Sequence, residues 1–498
     1  MRPLSLLLVS LSVLASHVAS LHAAPAATTR AEHVVVVVWD GLRPDSVSES
    51  STPTLYQLAR DGVFFQNHHA AYLSSTEVNG ATMATGAYPN RTGILGNREY
   101  RPAIDPHKPI ETGSPATITK GDEVSGGHYL LLPTLPETLR GAGRKVVIAG
   151  TKPIAVLYDR LHREQITQPN DEHPQTPNTD LDAATTQALI GSRWKDGVPA
   201  YSLLWLSEPD LAQHITGPGS PASLQALKGA DANLARVLRE LDKRGVRNQT
   251  DVFVVSDHGF STITRAVDVA AELKKAGFSA VREVKEPAAA GDVLVVGNGG
   301  SVLLYVTGKE KSRTQQLVRF LQKQDWTGVV FTRESMTGTF TLDQVRINTP
   351  TAPDIVVALR WWPGKSATGM PGLIVNEGNA RDPGQGAHAS LSPFDMRATL
   401  VAAGPDFRRG MVDQLPSGNA DLVPTILHIL GIEPPQPLDG RVLAEALVAG
   451  TATFPAVELQ TLEASCELGE VVWHQYLRTT SFAHAIYFDE GNGYVTPK

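Results

Sequence analysis

Apolar residues in this chain gather into short blocks separated by helix-like stretches. Val34 to Val38 are five consecutive valines. A run with no polar face predicts a strand buried on both sides, as inside a parallel sheet. Similar blocks predict strands over 33–39, 145–150, 201–206, 251–256, 354–360 and 399–404. Between them, helical spacing covers 52–61, 134–142, 178–194, 220–244 and 419–431. In the longest of these, Leu224, Leu227, Leu234, Val237 and Leu241 share one side of a helix. Strand and helix alternating in this way predict an α/β fold, with a mostly parallel central sheet and helices on both faces.

Two stretches break the rhythm. Residues 98–133 are rich in Pro, Gly, Thr and His, and 262–350 hold two helix-like pieces and short strands such as Ser301–Val306. Both follow segments that carry chemistry, so they read as insertions over the rim of a site. The tail, 451–498, carries Trp473, Tyr476 and Ile486 and reads as a terminal hairpin packed on the core. The body between, 31–450, is the expected catalytic domain.

Met1-Arg2-Pro3, an apolar stretch from Leu4 to Leu14, and small residues through Ala24 follow the plan of a secretory signal peptide over 1–24. The expected location is therefore periplasmic or extracellular; an uncleaved anchor is the competing reading. No other segment is long and apolar enough to predict a stable membrane span. Cys466 is the single cysteine, so no intramolecular disulfide can form. The net charge of −7 argues against a general nucleic-acid-binding surface. Oligomeric state is not legible.

The chemistry sits at strand ends. The 251–256 block runs into Asp257-His258-Gly259, and the valine block into Asp40-Gly41. After Tyr201–Leu206 come Asp210 and His214, four apart, which a short helix opened by Pro209 and stopped by Gly217-Pro218 would place on one face. The loop Gly384-Gln385-Gly386-Ala387-His388 presents one more imidazole. Ligands bind beyond the carboxyl ends of strands in open α/β sheets. Any one of these pieces could be a strand cap or a solvated loop histidine. Together, three Asp and three His look like a site for two divalent ions, with zinc foremost.

Several further segments follow in a recognisable order: Val37-Val38-Trp39-Asp40-Gly41-Leu42-Arg43, Thr52-Pro53-Thr54-Leu55, Thr76-Glu77-Val78-Asn79-Gly80, Thr85-Gly86-Ala87-Tyr88-Pro89, Gly93 to Asn97, Asn419-Ala420-Asp421-Leu422 and Leu438-Asp439-Gly440-Arg441. With the Asp and His segments, they make the chain resemble the alkaline phosphatase superfamily, in its type I phosphodiesterase/nucleotide pyrophosphatase branch. The resemblance implies an alkaline phosphatase-like fold and a secreted metal-dependent phosphoric ester hydrolase acting on a small phosphoester. By position it implies Thr76 as nucleophile, forming a phospho-threonine. It implies Asp40, Thr76, Asp257 and His258 on one ion, Asp210, His214 and His388 on the other, and Asn97 donating to the transferring group. Asn79 reads instead as a capping or turn residue.

The chain also departs from the pattern. Glu77 stands where many nucleotide-cleaving relatives carry an aromatic that stacks on the base. Lys152 matches the first of a basic pair found in monoester- and phosphonate-cleaving relatives, but Ile154 replaces the second. Thr92 replaces a common histidine. A phosphomonoesterase or phosphonate hydrolase using Lys152 is the alternative; a catalytically inactive binding protein is a remoter one. Sulfatase chemistry is excluded, because Thr76-Glu77-Val78-Asn79 cannot supply a formylglycine.

Overall fold

The computed structural model describes residues 31–165, 177–285, 290–378, 380–450 and 453–498. The predicted signal segment lies outside them. Seven strands form the central sheet: β1 (His33–Trp39), β2 (Val63–Phe65), β3 (Val146–Gly150), β4 (Tyr201–Leu206), β5 (Thr250–Val255), β6 (Leu400–Ala403) and β7 (Met411–Asp413). Their spatial order is β7-β2-β6-β5-β1-β4-β3. The β3, β4, β1 and β5 run is parallel, and β6 is antiparallel to both of its neighbours.

The valine run does what an unbroken apolar strand must. Val34, Val36 and Val38 enter one core, and Val35, Val37 and Trp39 enter another on the opposite face. Each fully buried Val contributes roughly 1.5–3 kcal/mol. Helices Leu135–Gly141 and Leu422–Ile429 cover the first face; Pro53–Asp61 and Pro221–Lys243 cover the second. Leu224 departs from the predicted stripe and is 40% exposed.

Predicted helix 178–194 is an α-helix over Thr179–Ala188 followed by one π turn, and 419–431 begins as a 3-10 turn before Leu422. Strand 354–360 forms, as Ile355–Leu359, but not in the central sheet. It lies in a second, six-stranded sheet built from residues between Ala280 and Leu359, antiparallel to Ser301–Val306 and Thr327–Thr332. The 262–350 insertion is thus a substantial layer that recruits a strand from beyond its predicted end.

The tail is a three-stranded antiparallel meander, Glu458–Glu467, Val471–Phe482 and Ala485–Pro497, and not a two-stranded hairpin. Sequence spacing showed Trp473 and Ile486 but not the strongly exposed first strand, whose residues alternate too little to mark a strand. The meander packs on the second sheet, where Gln475 bonds both backbone groups of Val330 at 2.9 and 3.3 Å. It also reaches the central domain, where His69 Nε2 meets Asp489 at 2.9 Å. No helix among the described residues is long and apolar enough to cross a membrane.

Candidate active site

Parallel register brings the ligand segments to one edge. Trp39 pairs with Leu206 and Val38 with Val255, so the chain leaves β1, β4 and β5 side by side. Asp40, Asp210 and Asp257 follow directly from this. Asp210 lies on the short helix Asp210–Thr216, with His214 one turn on. Its backbone N–H donates to the carbonyl of Asp40 at 2.9 Å.

His388 arrives by a different route. After His258 the chain enters strand Ser261–Val267, which pairs antiparallel with Gly386–Ala387. That pairing lays the two imidazoles face to face, 3.7 Å between ring centres. Gly259 makes the turn possible, because a Cβ there would lie 2.0 Å from the Phe394 carbonyl oxygen. Gly41, at φ +69°, adopts the left-handed backbone that L side chains resist. Its N–H donates to Asp257 Oδ1 at 3.0 Å.

All six predicted Asp and His residues meet. The second groups on their side chains show what they are prepared for. Nδ1 of His214, His258 and His388 each lies 2.9 Å from a backbone carbonyl, of Gly386, Gly259 and Ser74 respectively. A carbonyl only accepts, so each Nδ1 carries the hydrogen and each Nε2 presents a lone pair to the centre. The carboxylates follow the same rule. Asp40 Oδ2 accepts from Trp205 Nε1 at 2.8 Å, and Asp210 Oδ2 from Lys152 Nζ at 2.6 Å. The other oxygens, Asp40 Oδ1, Asp210 Oδ1 and Asp257 Oδ2, are buried without a hydrogen-bond partner.

Unsatisfied buried carboxylate oxygens are costly. Here three of them converge with three imidazole lone pairs. Donor atoms of Asp210, His214 and His388 lie within 4.8 Å of one another, as do those of Asp40, Asp210 and His258. Asp257 Oδ2 is 3.2 Å from His258 Nε2. This oxygen and nitrogen set fits divalent transition ions, and Asp210 stands between the two groups.

Electrostatics agree with that fit. Burial, reinforced by Asp257, holds Asp40 well above the usual carboxylate range. Burial opposes ionisation of Asp210 too, but His214 and Lys152 outweigh it and hold the group well below that range. Burial first, then the neighbouring His258 and His214, holds His388 well below the normal imidazole value, which keeps the ring neutral.

Thr76 begins the helix Thr76–Thr85, and its Oγ1 is 3.2 Å from His258 Nε2. That helix was not legible: Gly80 and three threonines leave almost no apolar stripe. Asn79 has the structural role expected, its amide bonding the Ala71, Leu73 and Ser75 carbonyls. Asn97 lines the cavity beside Thr76 and accepts from the Glu77 N–H at 3.2 Å, which leaves its NH2 to donate.

Lys152 is not a surface lysine. It follows β3, with 21% of its side chain exposed, and its ammonium lies 2.6 Å from Asp210 and 3.5 Å from Asp40. Burial draws its pKa down, but these two carboxylates outweigh burial and keep it cationic. Ile154 points elsewhere: it is fully buried, and a Cβ on Gly80 would lie 2.5 Å from its Cγ1. A base at 154 in this backbone would therefore face the core. Glu77 lines the cavity with Oε2 buried and unbonded, and burial pushes its carboxyl up to about 8. Repulsion between Glu77 and an anion is correspondingly reduced near neutral pH. Arg381, also in the lining, went unnoticed in the sequence because a loop arginine carries no pattern.

A mostly parallel sheet with two Asp/His groups at its carboxyl edge, and a threonine hydroxyl against one of them, defines the class. The profile of the type I phosphodiesterase / nucleotide pyrophosphatase family matches residues 34–370, and the chain belongs to that family. It is 25% identical over 243 residues to venom phosphodiesterase CdcPDE of Crotalus durissus collilineatus, a match covering 46% of this chain and 26% of that protein. It is 25% identical over 237 residues to bis(5'-adenosyl)-triphosphatase enpp4 of Xenopus laevis, covering 46% and 47%. The chain thus aligns with under half the length of these curated relatives. Murine ectonucleotide pyrophosphatase/phosphodiesterase 5, solved in an inactive form with AMP, superposes with a TM-score of 0.62 at 18% identity, over 83% of this chain and 99% of that one. That likeness is one of fold.

Proposed function

We propose that this protein is a two-metal phosphoester hydrolase of the phosphodiesterase/nucleotide pyrophosphatase type, working through a phospho-threonine on Thr76. The observation that carries it is the convergence of three Nε2 lone pairs with three unbonded carboxylate oxygens, one of those Nε2 atoms lying 3.2 Å from the Thr76 hydroxyl. Asp40, Thr76, Asp257 and His258 would hold one ion and Asp210, His214 and His388 the other, with zinc preferred. When bound, such ions supply positive charge to the phosphoryl oxygens and lower the pKa of the hydroxyl. Thr76 Oγ1 attacks phosphorus, the Asn97 NH2 donates to the transferring group, and Lys152 balances the Asp210 and Asp40 charges. Water then cleaves the phospho-threonine.

The insertions at 98–133 and 262–350 select the substrate in this reading. Among the described residues lining the cavity there is no Phe, Tyr or Trp. That favours a substrate not held by base stacking. The position of Lys152 favours some monoesterase activity beside the diesterase, since a lysine near the phosphoryl group favours a dianion over a monoanion. The test is kcat/KM for matched mono- and diesters with zinc. Diester cleavage by the wild type is expected, and Lys152→Ala should reduce monoester cleavage about tenfold more than diester cleavage. An equal fall on both substrates, with zinc content lowered, would instead assign Lys152 to holding Asp210. A strong wild-type monoester preference would promote the alternative.

The reading also includes export, carried by the 1–24 pattern. Expressed in a host that secretes proteins, the chain should begin near Ala24 or Pro25 by N-terminal sequencing. An intact Met1 on protein recovered from the cytoplasm would overturn this.

A further inference from the structure

We propose that Asn298, a residue of the second sheet, is a positioning residue for Asn97: its side-chain amide clamps the backbone beside Asn97 and so fixes the NH2 that donates to the transferring group. The inference rests on the hydrolase reading above and gives part of the 262–350 layer a role in turnover as well as in substrate choice.

Asn97 belongs to no regular element. It lies between the helical turn Pro89–Thr92 and the two-residue strand Arg98–Glu99. Side chains hold the segment instead. The Thr112 N–H donates to the Asn97 carbonyl at 2.9 Å, and the Thr112 hydroxyl is shared between the Gly96 and Asn97 carbonyls at 2.6 and 3.1 Å. Glu99 Oε1 accepts from the N–H groups of Leu95 and Gly96 at 2.5 and 3.2 Å. The next residue is held from the other layer. Asn298 Oδ1 accepts from the Arg98 N–H at 2.9 Å, and Asn298 Nδ2 donates to the Arg98 carbonyl at 3.0 Å. One buried amide thus serves both backbone groups of Arg98, as a neighbouring strand would. The approach requires Gly96, because a Cβ there would lie 2.9 Å from Asn298 Oδ1. The ion pair of Arg98 with Glu111 joins side chains that are 45% and 41% exposed, so it adds little to the clamp.

The clamp has a rigid base. Asn298 ends strand Val293–Asn298 and pairs with Ser301 across the turn Gly299-Gly300. The Gly300 N–H donates to the His388 carbonyl at 2.8 Å. The Gly299 carbonyl accepts from the Glu377 N–H and the Gly300 carbonyl from the Leu359 N–H, each at 2.8 Å. Gly299 has φ +63°, and a Cβ on it would lie 2.8 Å from the His388 carbonyl oxygen. A single turn therefore touches the backbone of His388 on one side and the backbone beside Asn97 on the other. It sets the spacing between an Asp/His group and the amide that meets the transferring group. Both ends of the Asn298 amide are engaged with Arg98, so its influence on the reaction runs through Asn97. The Asn97 amide is oriented in turn by the Glu77 N–H, next to Thr76. A shift of the 97 backbone moves the donating NH2 away from that line, and a misplacement of about 1 Å can cost about 10²-fold in rate.

A double-mutant cycle in zinc-loaded protein tests this. Asn97→Ala should lower kcat about 10²-fold with KM little changed, as loss of a donor to the transition state does. Asn298→Ala should lower kcat about tenfold or more, with KM, zinc content and circular dichroism close to wild type. In the Asn97→Ala background, Asn298→Ala should then cost less than about twofold, since the group it positions is already gone. Gly96→Ala displaces the Asn298 amide without deleting a hydrogen-bonding group and should show the same pattern, which keeps the test open if Asn298→Ala folds poorly. Losses that multiply across the cycle overturn the proposal, as does an Asn298→Ala enzyme with kcat within about twofold of wild type. Orthovanadate binding by calorimetry reads the same cycle without turnover: affinity should weaken about tenfold in each single variant and no further in the double one. Wild-type protein that hydrolyses none of the mono- and diesters would refute the hydrolase reading, while the vanadate cycle would still decide whether Asn298 acts through Asn97.

Discussion

Thr76→Ala is expected to lower turnover by about 10⁴-fold or more while leaving the protein folded and still able to bind metal. Removing the nucleophile from a covalent mechanism leaves only positioning and electrostatic stabilisation. The structural cost is small. The hydroxyl makes one hydrogen bond among the described residues, to His258 Nε2 at 3.2 Å, and a bond of that kind is worth about 1 kcal/mol. Alanine at the first position of a helix recovers some of that through propensity. Circular dichroism, melting temperature and zinc content should therefore match the wild type closely, with kcat alone collapsing. Acid-quenched wild-type enzyme should carry labelled phosphate on Thr76. Label mapped to another residue, or activity of the alanine variant within tenfold of wild type, would remove Thr76 from the role.

The ligands were readable because each sits at the end of an element with an unmistakable pattern. Five valines specify a doubly buried strand, and the residue after such a strand has one place to go. Asp40, Asp210 and Asp257 follow from register, and His214 from the helical step after Asp210. His388 could be read only as a loop imidazole that completes the set, because its place depends on the antiparallel pairing of Gly386–Ala387 with Ser261–Val267, and two paired residues leave no periodicity.

The misreadings have the same origin in reverse. Strand 354–360 has the apolar character of a central strand, but that character reports burial on two faces and not which sheet supplies it. The second sheet packs one side of Ile355–Leu359 against the 262–350 layer and the other against residues such as Val329 and Leu391 in its own core. Lys152 could not be separated from a loop lysine, since its meaning comes from two carboxylates that are distant in sequence.

Metal removal should have the other large effect. Chelation is expected to abolish turnover and lower the melting temperature, and zinc should restore both. Protein purified without chelator should carry about two equivalents of a transition ion. On the proposed assignment a single ion would leave donors unused. A tetrahedral zinc takes four ligands, whereas Asp40, Asp210, Asp257, His214, His258 and His388 all direct a free donor atom inward, with the Thr76 hydroxyl beside them. Stabilisation follows from mass action: an ion at about 1,000 times its dissociation constant adds about 4 kcal/mol, and the buried carboxylate oxygens supply the affinity. The two groups should also separate experimentally. His388 belongs with Asp210 and His214, and its Nε2 lies 3.6 Å from Asp210 Oδ1. His388→Ala should therefore weaken one equivalent far more than the other in a metal titration, leaving the Asp40, Asp257 and His258 group able to load. Loss of both equivalents together would mean a single coupled site, and a fully active protein with no metal would refute the mechanism outright.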